Sequence, residues 1–146
     1  MKKLASGLAL VVLAALVAAS LATAGHAKQV EVTAALTAKQ EVPAQVVKDA
    51  KAKGAFTGTL VGSKLKWKLT FSGLTGPASA AHIHLGGMGK AGNVLVALCG
   101  PCTNGQKGTA TLTAAAAKAL KKHLAYVNVH TAKNPNGEIR GQLSEH

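Results

Sequence analysis

From Lys64 to Phe71 the chain alternates without a break: Leu65, Trp67, Leu69 and Phe71 fall on one side, Lys64, Lys66, Lys68 and Thr70 on the other. A period of two fits a strand and no helix, and it makes one face apolar and one wet. Ala55 to Leu60 runs up to it through Val61-Gly62-Ser63-Lys64, which predicts a hairpin. A hairpin with one apolar face must be covered, and the rest of the chain offers the same kind of segment. Val30–Leu36, the stretch around His82 and His84, Asn93–Leu98, Thr109–Leu112, His123–Thr131 and Glu138–Leu143 read as strands. Between them lie turn-rich segments: Gly73 to Pro77, Gly86 to Gly92, Cys99 to Gly108 and Asn134 to Gly137. Pro43 suits a strand end, and residues 44–53 read as an irregular connection. Thr113–Lys122 departs from the rhythm, with a capping threonine, a run of alanines and lysines towards the end, and predicts a short helix. Roughly seven or eight short strands with turns between them predict an all-β fold, an antiparallel β-sandwich with one short helix near 113–122.

The N-terminus has a different character. Lys2-Lys3, an uncharged apolar run from Leu4 to Val17 and the small-residue pattern Ala22-Thr23-Ala24 form the layout of a secretory signal peptide. Cleavage is expected after Ala24, with Ala27 as the second choice, leaving a single domain over 28–146 that is exported to the periplasm or secreted. The apolar run is shorter than the about 20 residues a membrane-spanning helix needs, and no later segment approaches that length. Phe56, Trp67, Phe71 and Tyr126 are the only aromatics, so Val, Leu, Ile and Ala must build a thin core.

Loss of Lys2 and Lys3 lowers the formal net charge from +12 to +10. The basic residues are nearly all lysines, scattered singly with no run longer than Lys121-Lys122 and no aromatic residues interleaved for base stacking. That pattern argues against specific nucleic-acid binding and for a solvated surface that attracts anionic polymers of the cell envelope.

The chemistry concentrates on histidines. His82 and His84 share one strand face, with Ala81, Ile83 and Leu85 on the other. In the later strand Tyr126, Asn128 and His130 alternate with Ala125, Val127 and Val129. Three imidazoles from two strands can converge on a metal ion, copper in first place and zinc behind it. Asn128 is placed to orient a ligand, Met88 can add a thioether if its loop folds back, and His26 can chelate copper beside a free amine if cleavage follows Ala24. The competing reading is that the imidazoles bond to loop backbone and pin the glycine-rich turns. His123 and His146 read as solvated. Cys99-Gly100-Pro101-Cys102 spells a redox motif, yet Thr103 to Gly108 is a poor helix former, and two cysteines in an exported chain point first to a local disulfide. Redox chemistry stands second and soft-metal binding third. Glu138 and Arg140 share a face, either as an ion pair or each bonded to neighbouring loop backbone. No second carboxylate or activated nucleophile accompanies them, so a non-enzymatic protein is expected.

Leu36-Thr37-Ala38-Lys39-Gln40-Glu41-Val42-Pro43, Ala81-His82-Ile83-His84, Tyr126-Val127-Asn128-Val129-His130-Thr131 and Pro135-Asn136-Gly137-Glu138-Ile139-Arg140-Gly141-Gln142-Leu143 resemble, in order, the markers of the CHRD domain. That family is named after chordin and also occurs alone in exported bacterial proteins. The resemblance implies a β-sandwich, immunoglobulin-like or superoxide-dismutase-like, without implying a defined molecular function. The His-x-His strand followed by Val-x-Val-His is also similar to the copper-ligand layout of copper/zinc superoxide dismutase. The chain departs from it in lacking the bridging-histidine zinc loop, and its only aspartate is Asp49. Three functions are therefore carried forward in this order: a copper-type binding protein, a basic envelope-associated interaction module with structural histidines, and a dismutase-like or thiol-redox enzyme.

Overall fold

The computed structural model describes residues 27–43 and 51–146; the leader expected at 1–24, His26, and most of the connection expected at 44–53 with Asp49 lie outside the described residues. Nine strands follow one another: β1 (Gln29–Thr37), β2 (Lys53–Val61), β3 (Lys64–Ser72), β4 (Ala78–Leu85), β5 (Val94–Cys99), β6 (Gln106–Thr111), β7 (Ala125–Thr131), β8 (Ile139–Gln142) and β9 (Ser144–Glu145). A short 3-10 turn, Ala38–Gln40, follows β1, and α1 (Ala114–Lys121) lies between β6 and β7. The fold is all-β and antiparallel with one short helix, and none of the described helices is long and apolar enough to cross a membrane.

The strand order is β5-β4-β7-β8-β1-β2-β3-β6, with β9 also on β1. One continuous sheet is thus folded into two opposed halves, β5-β4-β7-β8 and β1-β2-β3-β6. The halves join at a narrow seam, where β8 meets β1 at the single register pair Thr37–Arg140 and β9 continues beside Val32 and Thr33. At the other side β5 approaches β6 where the Cys99–Cys102 disulfide closes the connection, so the sheet is rolled nearly shut. Val32, Phe56, Leu65, Trp67 and Leu69 from one half meet Ala81, Ile83, Val127, Val129 and Ile139 from the other, each buried. The alternation at 64–71 therefore does what a half-buried strand must, with Phe56 and Trp67 stacked across the hairpin, ring centroids 6.4 Å apart.

Most strands differ from the sequence reading by a residue or two at their ends, β2 beginning at Lys53 inside the stretch read as irregular, and three differences have a local reason. β6 begins at Gln106 rather than Thr109, because Gly108 pairs with Trp67 and any side chain there would run into the indole; this glycine marks a close approach, not a break. β7 starts at Ala125 rather than His123, since the helix needs two more residues to end. Thr113 caps α1 at its start by accepting from the Ala116 amide. At the other end His123 takes φ 55°, its amide donating to Leu120 and that of Leu124 to Ala119. That is the paired closure of a helix C-terminus through a left-handed residue. The two-residue β9 carries no periodic signal.

Candidate metal centre

The register sets out a grid on the outer face of β4, β7 and β8. His82 pairs with Asn128 and Asn128 with Arg140; His84 pairs with Tyr126 and Tyr126 with Gln142; Ala80 pairs with His130. Every residue of β7 is buried, its Val127 side by the apolar core and its Asn128 side by loops laid over the grid. Those loops are residues 86–93, the turn at 132–137 and the segment around Glu41.

His82, His84 and His130 converge, with one ligand nitrogen from each lying within 4.8 Å of the others. His84 Nδ1 is 3.0 Å from the Gly92 carbonyl, and His130 Nδ1 is 3.0 Å from the Pro135 carbonyl. A carbonyl only accepts, so both Nδ1 atoms carry protons and both Nε2 atoms keep lone pairs. His82 Nδ1, 3.1 Å from His130 Nε2, then donates to it. His84 Nε2 is buried with no hydrogen-bond partner. His84 has the arrangement of a metal-bound imidazole, one nitrogen tied to a backbone carbonyl and the other free for the ion, and His130 gains it once His82 turns its Nδ1 away. Tetrahedral bonds of about 2.0–2.1 Å place ligand nitrogens about 3.4 Å apart, so the widest pair must close by about 1.4 Å on loading.

Burial pushes His130 down to about 4 despite its bond to Pro135, with His82 and His84 adding to the fall. Burial also lowers His84 and His82, the latter with help from its neighbour His84. All three rings are neutral at pH 7, the form that binds metal.

Around the triad the structure brings in residues that strand periodicity does not reveal. The Tyr126 ring stacks on His84 at 5.1 Å and 12°, and the Arg140 guanidinium lies over the same ring, 3.4 Å from its centroid. Arg140 donates to the Gly87 carbonyl, Gln142 to that of Gly86, and the Gly92 amide to the Tyr126 hydroxyl. The glycine-rich loop is therefore fastened to the sheet at four points, one of them His84. Asn128 sits next to His82 across the strands but donates to Glu41 Oε2 at 3.4 Å. Met88 is 83% exposed and borders a groove with Glu41 and Arg140. His146 bonds to Thr33 at the surface. Glu138 and Arg140 serve separate loops, as the second of the two sequence readings has it. Glu138 accepts from the Thr75 amide and hydroxyl, Thr131 and Asn134. Cys99 and Cys102 are bonded to each other, and turn and strand β6 follow them rather than the helix that activates a redox pair.

Fold and site together define an all-β domain with a three-imidazole cluster that can hold a metal ion, set under loops on one outer face. The chain belongs to the CHRD family, whose domain model matches residues 32–143. Comparisons with curated proteins and with solved structures returned no match.

Glu41 provides a pH test of this face. Burial raises its carboxyl to about 7, against the pull of Arg140 and Asn128. The folded state therefore holds a proton that the unfolded chain releases near 4.5, and stability falls as pH rises from there to 7. The histidines act in the opposite sense: His130 takes up its proton near 6.5 unfolded and only near 4 folded, so its contribution is complete above 6.5 and is lost as pH falls towards 4. Glu41→Gln removes the first slope and leaves the second. Urea midpoints of the variant are expected to drop more steeply than those of the parent on acidification below pH 6.5. At pH 8 the variant should be more stable than the parent by an amount on the order of 2–3 kcal/mol. Parallel profiles would show that Glu41 titrates normally.

Proposed function

We propose that the protein is an exported, non-enzymatic metal-binding domain that takes copper, with zinc the weaker ion, at His82, His84 and His130. The observation that carries this reading is the buried, unpartnered Nε2 of His84, whose Nδ1 is tied to the Gly92 carbonyl, set beside His82 and a His130 tied in the same way to the Pro135 carbonyl. A buried lone pair without a partner costs free energy that an ion would offset. Three neutral imidazoles suit copper and zinc, and copper stands higher in the divalent affinity order. Export is supported by the leader-like residues 1–24 and by the disulfide, which persists in oxidising compartments.

The test is calorimetric titration of the protein starting at Lys28, which excludes His26, with copper and with zinc against a competing chelator. One ion per chain is expected. The variant His82→Ala/His84→Ala/His130→Ala should retain the parent's circular dichroism and lose the site. A folded parent that binds neither ion would overturn the reading and leave the histidines as loop anchors.

A further inference from the structure

The other outer face of the molecule, on β2, β3 and β6, differs from the histidine face: among the described residues no loop covers it, and no carboxylate stands on those strands. Lys64, Lys66 and Lys68 are exposed in a row along β3, at intervals of about 7 Å. Lys107 on β6 is the direct cross-strand partner of Lys68. Like charges set opposite one another destabilise a sheet, so the Lys68–Lys107 pair at the end of the row costs stability unless an anion meets it. Among the described residues, Glu31 on neighbouring β1 is an acid on this side of the sheet, and it is already engaged by Thr59 and Gln29. The lysines are interleaved with hydroxyls, Thr59 and Thr109 standing on either side of Lys66.

We propose that this face docks a linear acidic polysaccharide, with ammonium groups spaced along β3 meeting its carboxylates and the threonines meeting its hydroxyls. The choice of polymer follows from the side chains. No aromatic ring on the face can stack on a base. The cations are all lysines, point charges without the forked geometry by which arginine grips phosphate. The lysine row and the histidines occupy opposite halves of the sandwich, so the inference is independent of the metal proposal.

Alginate, a polyuronate, is the probe, with neutral dextran and double-stranded DNA beside it. Binding of alginate that weakens with added salt is expected, with none for dextran. Lys64→Glu/Lys66→Glu/Lys68→Glu should weaken it by about tenfold or more. Lys118→Glu/Lys121→Glu/Lys122→Glu, the same change in net charge placed on and after α1, should leave it within about twofold. All these side chains are exposed, and unchanged circular dichroism checks that the variants fold; the glutamine triple at 64, 66 and 68 repeats the test without charge reversal. Equal loss in the two glutamate variants, retention in the β3 variants, or DNA bound as tightly as alginate would each overturn the proposal.

Discussion

Glu138→Ala is expected to cost the domain about 3–5 kcal/mol, read as a fall in the urea midpoint. The Glu138 side chain is fully buried and is the common acceptor for the Thr75 amide at 2.6 Å, the hydroxyls of Thr75 at 2.7 Å and Thr131 at 2.6 Å, and the Asn134 amide group at 3.0 Å. Burial by itself pushes this carboxyl up; the donors together outweigh burial and hold it below the ordinary carboxylate value. Truncation strands those donors at the junction of two loops, and each buried donor left unpaired costs about 1–3 kcal/mol. The effect should reach the histidines, since the same turn supplies the Pro135 carbonyl that fixes His130. Because the folded value is the lower one, this contribution is complete above the unfolded value and fades as pH falls through the folded one. Glu138→Gln, which keeps one acceptor oxygen, should lose less. A stability for the alanine variant within about 0.5 kcal/mol of the parent would mean that water replaces the carboxylate.

Gly92→Ala is expected to weaken copper binding by about 10–100-fold, the usual range when a group that orients a metal ligand is lost. Gly92 is exposed, so no core packing changes, but a Cβ there would be driven into the carbonyl of Leu85. The residue must move, and its two bonds move with it: its carbonyl from His84 Nδ1 and its amide from the Tyr126 hydroxyl. Tyr126→Phe breaks only the second and keeps the ring against His84, so its effect should be smaller. Gly76→Ala is the control, because nothing lies within 4 Å of its added carbon. Unaltered affinity in Gly92→Ala would show that the glycine-rich loop does not hold His84 in its binding pose.

The parts of this architecture that repeat every two residues were legible in the chain. Trp67 and Leu69 announced a half-buried strand, and His82, His84 and His130 announced a shared face, because pleating alone decides which way alternate side chains point. Thr113 announced a helix start for an equally local reason. Register and loop return are not local. Nothing between Ala81 and Val129 says that their strands are neighbours, and nothing in Glu41 says that it will be buried beside Asn128 and Arg140. The two readings weighed for the histidines, metal ligands or loop anchors, also turn out not to compete. An imidazole has two nitrogens, and in His84 and His130 one anchors a loop while the other faces the cluster.

Strand β7, buried along both faces, bears on how a bound ion would leave. Amides of such a strand exchange with solvent only when the whole domain opens. Neither Tyr126 nor His130 can be released by local fraying, so the cluster and the fold share one opening event. An ion held there would depart by exchange of ligands at the half-buried His82 edge, to a competing chelator that reaches that edge. Its residence time would then track the concentration of competitors outside the protein, with the breathing of the sheet contributing little.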